Sequence, residues 1–176
     1  MNHDYTIRSS EIVLTPIGED DIELMRDWRN APINQTSFLT NSYIEAEQQR
    51  LWYQKYLGKE DDIMFIINDI TGATTKIGMV GLYDVNTELG TAEFGRFLIG
   101  EPSARGKGLG FTVTLLLCKF GFEQLKLNEI RLEVLGENSI AHTIYSKVGF
   151  LPQGQYYKDG KEVLRMSLFK EQLKCV

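Results

Sequence analysis

Between Phe94 and Phe120 the chain runs from an apolar stretch, Phe94 to Ile99, through Arg105-Gly106-Lys107-Gly108-Leu109-Gly110. It then enters a segment that sets Leu109, Val113, Leu116, Leu117 and Phe120 on one helical face. The order is strand, glycine-rich turn, helix. The glycines stand where the helix starts. There the first N–H groups have no preceding turn to bond to, and the aligned peptide dipoles leave partial positive charge. Without Cβ atoms, the backbone lets a phosphate approach closely. The stretch therefore predicts either an anion-binding loop or a plain connection.

Two nucleotide-binding patterns are excluded. No G-x-x-x-x-G-K-[ST] string occurs in the chain. A dinucleotide fingerprint needs G-x-G-x-x-G, and the spacing here is R-x-x-G-x-G.

Composition narrows the class. The 176 residues suit one domain, 1–176, with a proper core. A net charge of −5 argues against a nucleic-acid surface, which needs a basic footprint. Cys118 and Cys175 are the only cysteines, so no disulfide framework is expected, and two lone thiols make no metal site. No metal is expected. The polar start, MNHDYTIRSSE, has no apolar signal core, and no apolar run nears membrane-spanning length. A cytoplasmic protein with no membrane partner is expected, as a monomer or homodimer.

Periodicity and caps give the remaining elements. Ile12 to Leu14 reads as a short strand closed by Pro16, and Asp20 to Asn30 as a helix with an acidic first turn. Ser42-Tyr43-Ile44-Glu45 reads as a capping box opening a helix to Leu57, ended by Gly58. Ile63 to Ile67 is a buried strand, and Ile77 to Tyr83 and Ala92 to Ile99 follow as strands. After the glycine loop and its helix come a strand at Ile130 to Val134 and a helix from Ser139 to Val148 capped by Gly149. A hairpin turns at Asp159-Gly160. The predicted order is βααβββαβαββ.

These features together resemble the GNAT superfamily of N-acetyltransferases. Its acetyl-CoA loop, Q/R-x-x-G-x-G/A, is matched by Arg105, Gly108 and Gly110. Its N-x-x-A…Y-x-K-x-G-F segment is matched by Asn138 to Ala141 and Tyr145 to Phe150. The close match covers Phe94 to Phe150. The resemblance implies an α/β (α+β) fold, a mixed central sheet with helices on both faces. It implies direct transfer of an acetyl group from acetyl-CoA, the co-substrate, to a primary amine, with no covalent enzyme intermediate.

Such an enzyme must hold two reactants together and move protons. An alkyl amine with a pKa near ~10.4 costs about 4.6 kcal/mol to neutralise at pH 7. Glu93 is the candidate base; otherwise it is a solvated strand carboxylate or a partner for Arg96. Tyr145 is the candidate acid toward the leaving thiolate, or else a core tyrosine beside the apolar stripe of Ile140, Ile144 and Val148. The resemblance assigns the pantetheine arm to the backbone of Phe97, Leu98 and Ile99 and to Asn138, which also reads as a helix cap. It assigns the pyrophosphate to the backbone of Gly106, Gly108, Leu109 and Gly110, with Arg105 and Lys107 as helpers. His142 reads as a surface residue, and the Met and aromatic residues as core.

Acceptor residues are Trp28, Arg29 and Asn30. With Glu45, Trp52 and Tyr53 they resemble the subgroup of nucleotide-linked amino-sugar N-acetyltransferases of the pseudaminic-acid pathway. Together with the Tyr157 to Gly160 hairpin, the same region resembles polyamine acetyltransferases and those that modify ribosomal-protein N-termini. Arg29 would read a phosphate, or pair with Asp27 or a neighbouring acid. A small-molecule amine, led by an amino sugar, is the expected acceptor. A non-catalytic acyl-CoA-binding module is the remaining alternative.

Overall fold

The computed structural model describes residues 3–35 and 42–173. Eight strands form one sheet: β1 (Ile7–Arg8), β2 (Ile12–Pro16), β3 (Ile63–Asp69), β4 (Thr75–Asn86), β5 (Thr91–Ile99), β6 (Glu129–Leu135), β7 (Leu151–Lys158) and β8 (Lys161–Phe169). Their order across the sheet is β1-β2-β3-β4-β5-β6-β8-β7. Every pairing is antiparallel except that of β5 with β6. The helices are α1 (Ile22–Asn30), α2 (Pro32–Gln35), α3 (Ala46–Leu57), α4 (Leu109–Glu123) and α5 (Ser139–Val148).

The sheet is covered on both faces, and β3 shows why its sequence is uninterruptedly apolar. Ile63, Phe65 and Ile67 point into the larger core with Val113 and Leu117 of α4 and Val148 of α5. Met64 and Ile66 point the other way, into a second core with Met25 and Trp28 of α1 and Tyr56 of α3. A strand buried on both faces has no solvated side to alternate toward.

The predicted order holds, with two additions. β1 is only two residues long and α2 only four, too short for a periodic pattern to register. The first turn of the predicted Asp20 to Asn30 helix is a 3₁₀ turn, Glu19–Asp21. Ser42 does not open the second helix. Glu45 holds the N-cap position, and Gln48 Oε1 accepts from its N–H at 2.9 Å, so the box begins three residues later. The hairpin turn is as predicted, with Asp159 and Gly160 both left-handed at φ 51° and 76°. Cys118 is fully buried in α4, while Cys175 lies outside the described residues. Among the described residues no helix is long and apolar enough to cross a membrane.

One departure from regular pairing creates the site. β5 and β6 share only three rungs, Thr91–Glu129, Ala92–Ile130 and Glu93–Arg131, and then part. On its other side β5 pairs Leu98 with Met79 but Gly95 with Gly81, so it carries one residue more than β4 over that interval. The surplus is a bulge in which Arg96 takes a left-handed φ of 51°. A bulge bends its strand and disrupts pairing. β6 meanwhile stays paired with β8 along its whole length. The two parallel strands therefore diverge.

Candidate active site

The divergence opens a cleft of about 840 Å³. β5 supplies one wall, from Phe94 through Arg96 to Ile99, and β6 the other, with Glu133, Val134 and Leu135. The glycine loop and the start of α4 close one end, and α5 contributes Asn138, Ala141, Ile144 and Tyr145.

At the loop, Gly106 and Gly108 have φ of 74° and 77°, and a Cβ on either would meet nothing within 4 Å. They are needed for backbone conformation, and the space above them belongs to the cleft. Gly110 has a different reason. A Cβ there would lie 2.8 Å from Ile144 Cδ1, so its absence lets α4 approach α5. Among the described residues, the first N–H of α4 to find a backbone acceptor is that of Phe111, onto Gly108 O at 3.0 Å. The groups before it are the N–H donors a helix start leaves over.

The predicted cofactor residues converge here with one exception. Phe97, Leu98, Ile99, Arg105, Gly106, Gly108, Leu109, Gly110, Asn138 and Tyr145 all line the cleft. Lys107 is exposed and is not among them. Arg105 lines the cleft but its guanidinium is turned back. Its Nε and Nη2 donate to Ile99 O at 3.2 Å, and Nη2 also donates to Asn34 Oδ1 of α2. Asn34 is 1% exposed and in turn donates from Nδ2 to Trp28 O at 2.7 Å. The arginine of the motif is thus a strut between the loop and the end of α1.

Asn138 caps α5, its side chain accepting from Ala141 N–H at 3.1 Å, and it faces the cleft as well. Tyr145 is mostly buried, its ring edge-on to Phe94 at 5.7 Å and tilted against Phe150 at 5.8 Å. Burial pushes its phenol well above the ordinary tyrosine value, which keeps it protonated at neutral pH. The stripe expected beside it is not uniformly buried: Ile140 is 76% exposed at the cleft edge.

Glu93 lies at the last shared rung of β5 and β6, opposite Tyr83 and Arg131, one rung behind the cleft wall. Burial, and then the nearby charge of Glu133, raises its carboxyl above the usual range. The alternative pairing with Arg96 is not what forms: Arg96 makes its ion pair with Asp62, which is 2% exposed, and its guanidinium stacks 4.7 Å from the Tyr83 ring centre. Glu133 was not singled out in the sequence, because alternation along β6 makes it look like a solvent-facing strand residue. It lines the cleft, accepting from Tyr156 OH at 2.8 Å and from Arg165 Nε at 3.3 Å.

The acceptor triplet divides. Trp28 belongs to the second core, 4% exposed, its Nε1 donating to Glu101 Oε1 at 2.9 Å. Asn30 grips the backbone of Ile44 in both directions, each bond 2.9 Å, and fixes the approach to α3. Neither lines the cleft. Arg29 does, and it also lines a second cavity of about 320 Å³ between α1, α3 and the sheet. Asp27, the alternative partner considered for Arg29, pairs with Arg26 at 3.4 Å.

Comparison with known proteins gives the family. Residues 11–151 match the family model for the acetyltransferase (GNAT) domain. The chain is 26% identical over 167 residues to spermidine N(1)-acetyltransferase of Escherichia coli K12, covering 92% of this chain and 87% of that one. It is 27% identical over 163 residues to the acetyltransferase PseH of Campylobacter jejuni, covering 92% and 94%. The fold is shared with spermidine N-acetyltransferase from Vibrio cholerae, solved with CoA and spermine, at a TM-score of 0.84 and 24% identity over 93% of this chain and 98% of that one. The chain belongs to the GNAT family. It is an acetyl-CoA-dependent N-acetyltransferase, with acetyl-CoA as co-substrate.

Proposed function

We propose that the acceptor is a small primary amine carried on a nucleotide-linked sugar. The observation that supports this most is the place of Arg29. It stands where the cleft meets the second cavity, so an acceptor whose amine reaches the cleft would lay its remainder against a guanidinium. In this reading the N–H groups at Gly106 to Gly110 bind the pyrophosphate of acetyl-CoA. The edges of Phe97 to Ile99 and the Asn138 side chain bind the pantetheine arm.

Glu133 receives the ammonium end of the acceptor at the cleft wall. Glu93, more basic than an ordinary carboxylate, draws off its proton from one rung behind, through solvent. The amine nitrogen attacks the thioester carbonyl carbon, the C–S bond breaks, Tyr145 donates its phenolic proton to the departing sulfur, and the second proton that the nitrogen sheds on becoming an amide returns through solvent to the Tyr145 oxygen. Holding both reactants in one cleft supplies much of the acceleration. The acetyl donor is already activated, so no nucleophilic side chain is required.

A thiol-release screen with UDP-amino sugars, spermidine and N-terminal peptides tests the acceptor. The expected result is highest kcat/KM for a UDP-amino sugar. Turnover of spermidine or a peptide about tenfold above every sugar nucleotide, a preference of roughly 1.4 kcal/mol, would replace the sugar with the polyamine or peptide reading. CoA binding without thiol release from any amine would reduce the chain to an acyl-CoA-binding module.

A further inference from the structure

We propose that Tyr83 is a further catalytic residue, its hydroxyl the link by which the acceptor ammonium passes its proton toward Glu93. This deepens the proton path given above and rests on Glu93 only for where that path ends.

The placement follows from strand alternation. Leu82 on β4, Phe94 on β5, and Leu132 and Val134 on β6 all face the larger core. Their neighbours Tyr83, Glu93 and Glu133 therefore project from the other face of the sheet. Tyr145 belongs to the larger core, against Phe94. The acid and the base thus approach the gap between β5 and β6 from opposite faces.

Tyr83 connects Glu93 to the cleft. The two residues are direct cross-strand partners, which sets their side chains next to one another. The Tyr83 ring then leans away from that rung toward the bulge. A Cβ on Gly95 would lie 2.9 Å from its Cε1 and 3.1 Å from its hydroxyl oxygen. Gly95 is two residues beyond Glu93 along β5. Both Gly95 and Tyr83 line the cleft, whereas Glu93 does not. The missing side chain at Gly95 is what admits the ring edge there. The ring is also held, since the Arg96 guanidinium lies 4.7 Å from its centre and is tied to the buried Asp62. A hydroxyl on a braced ring is already oriented when the acceptor arrives.

A phenol both accepts and donates hydrogen bonds. Burial, and then the charge of Glu93, raises the Tyr83 pKa, so it meets the ammonium as a neutral hydroxyl. The ammonium N–H bond breaks as its proton joins the Tyr83 oxygen. The phenolic proton leaves in the same step, through solvent, to Glu93. The amine is left neutral with its lone pair, Tyr83 is unchanged, and Glu93 is protonated. The relay concerns the ammonium and not what carries it, so it holds for any acceptor.

The test is the pH dependence of kcat for Tyr83→Phe, read by thiol release. The acceptor is whichever of the UDP-amino sugars, spermidine and N-terminal peptides the protein turns over best. Phenylalanine keeps the ring against Gly95 and Arg96, so folding and CoA affinity should hold. At pH 7 kcat is expected to fall by about 10²-fold. The free fraction of an amine grows about tenfold per pH unit below its pKa, and a free amine needs no relay. The loss should therefore shrink as pH rises, which the loss of a merely structural tyrosine would not do.

A loss of the same size at every pH, or one below ~3-fold at pH 7, would overturn the proposal. Glu93→Gln separates the path from its end. The same pH-rescued loss there, with no further loss in the double variant, would support one path through both groups. Full activity in Glu93→Gln beside a rescued Tyr83→Phe would keep the Tyr83 link and retire Glu93 as the base. A rescued loss in Glu93→Gln beside an unchanged Tyr83→Phe would overturn the Tyr83 link and leave the base standing.

Discussion

The two walls proposed here, the cofactor wall of the cleft and the acceptor wall of the second cavity, are made differently. The first comes from one continuous stretch, Phe94 to Tyr145, and much of what it offers is backbone: bulge-side strand edges, glycine N–H groups and a helix start. The second is gathered from α1, α3 and β3 to β5, and it offers side chains, chiefly Arg29, Arg96 and Trp52. Main-chain recognition tolerates sequence drift as long as conformation is kept. Side-chain recognition changes with one substitution. The cofactor half should therefore behave alike for any amine, and the acceptor half should discriminate between amines.

The largest test of that division is Tyr145→Phe. Its ring should still pack on Phe94 and Phe150, so folding and CoA affinity should hold while kcat falls by about 10²–10⁴, the usual value of a general acid–base step. Every acceptor should suffer equally. A change below ~3-fold in single-turnover rate would return Tyr145 to the core.

Gly108→Val comes next. The left-handed φ of 77° costs about 1–2 kcal/mol for a residue with a Cβ, and the new side chain would occupy the open space over the loop. Acetyl-CoA binding should drop by roughly 10- to 100-fold, the worth of one or more charge-assisted bonds. Undiminished calorimetric affinity in a folded variant would place the pyrophosphate elsewhere and dissolve the contrast.

The smallest effect sharpens the acceptor side. Glu133→Gln removes a like charge that raises the Glu93 carboxyl. A base must be deprotonated to work, so activity declines as pH falls through its pKa. Lowering that pKa moves the acid limb of the kcat profile to lower pH. A limb that stays in place would remove Glu93 from the proton path.

The same contrast explains what could be read from the chain. The glycine loop, the Asn138 cap and the helix that carries Tyr145 were legible because each is set by local conformation, and local conformation leaves spacing in sequence. α5 was placed to its terminal residues for that reason. The acceptor wall was not. Trp28 and Asn30 flank Arg29 in sequence, but the helix turns them into the core and onto Ile44. Arg96 and Asp62 are separated by 34 residues and meet only through sheet pairing. The motif position assigns Arg105 to an anion as a helper, yet its Nε and Nη2 donate to Ile99 O and Asn34 Oδ1. No spacing rule foretells a partner on another element.

That strut has a consequence for how freely the enzyme can change its diet. Trp28 O, Asn34 and Arg105 connect the end of α1 to the glycine loop. The first two helices are therefore not a detachable module. Transplanting α1 and α2 from a relative with another acceptor would import a new neighbour for Arg105, and with it a new resting position for the loop.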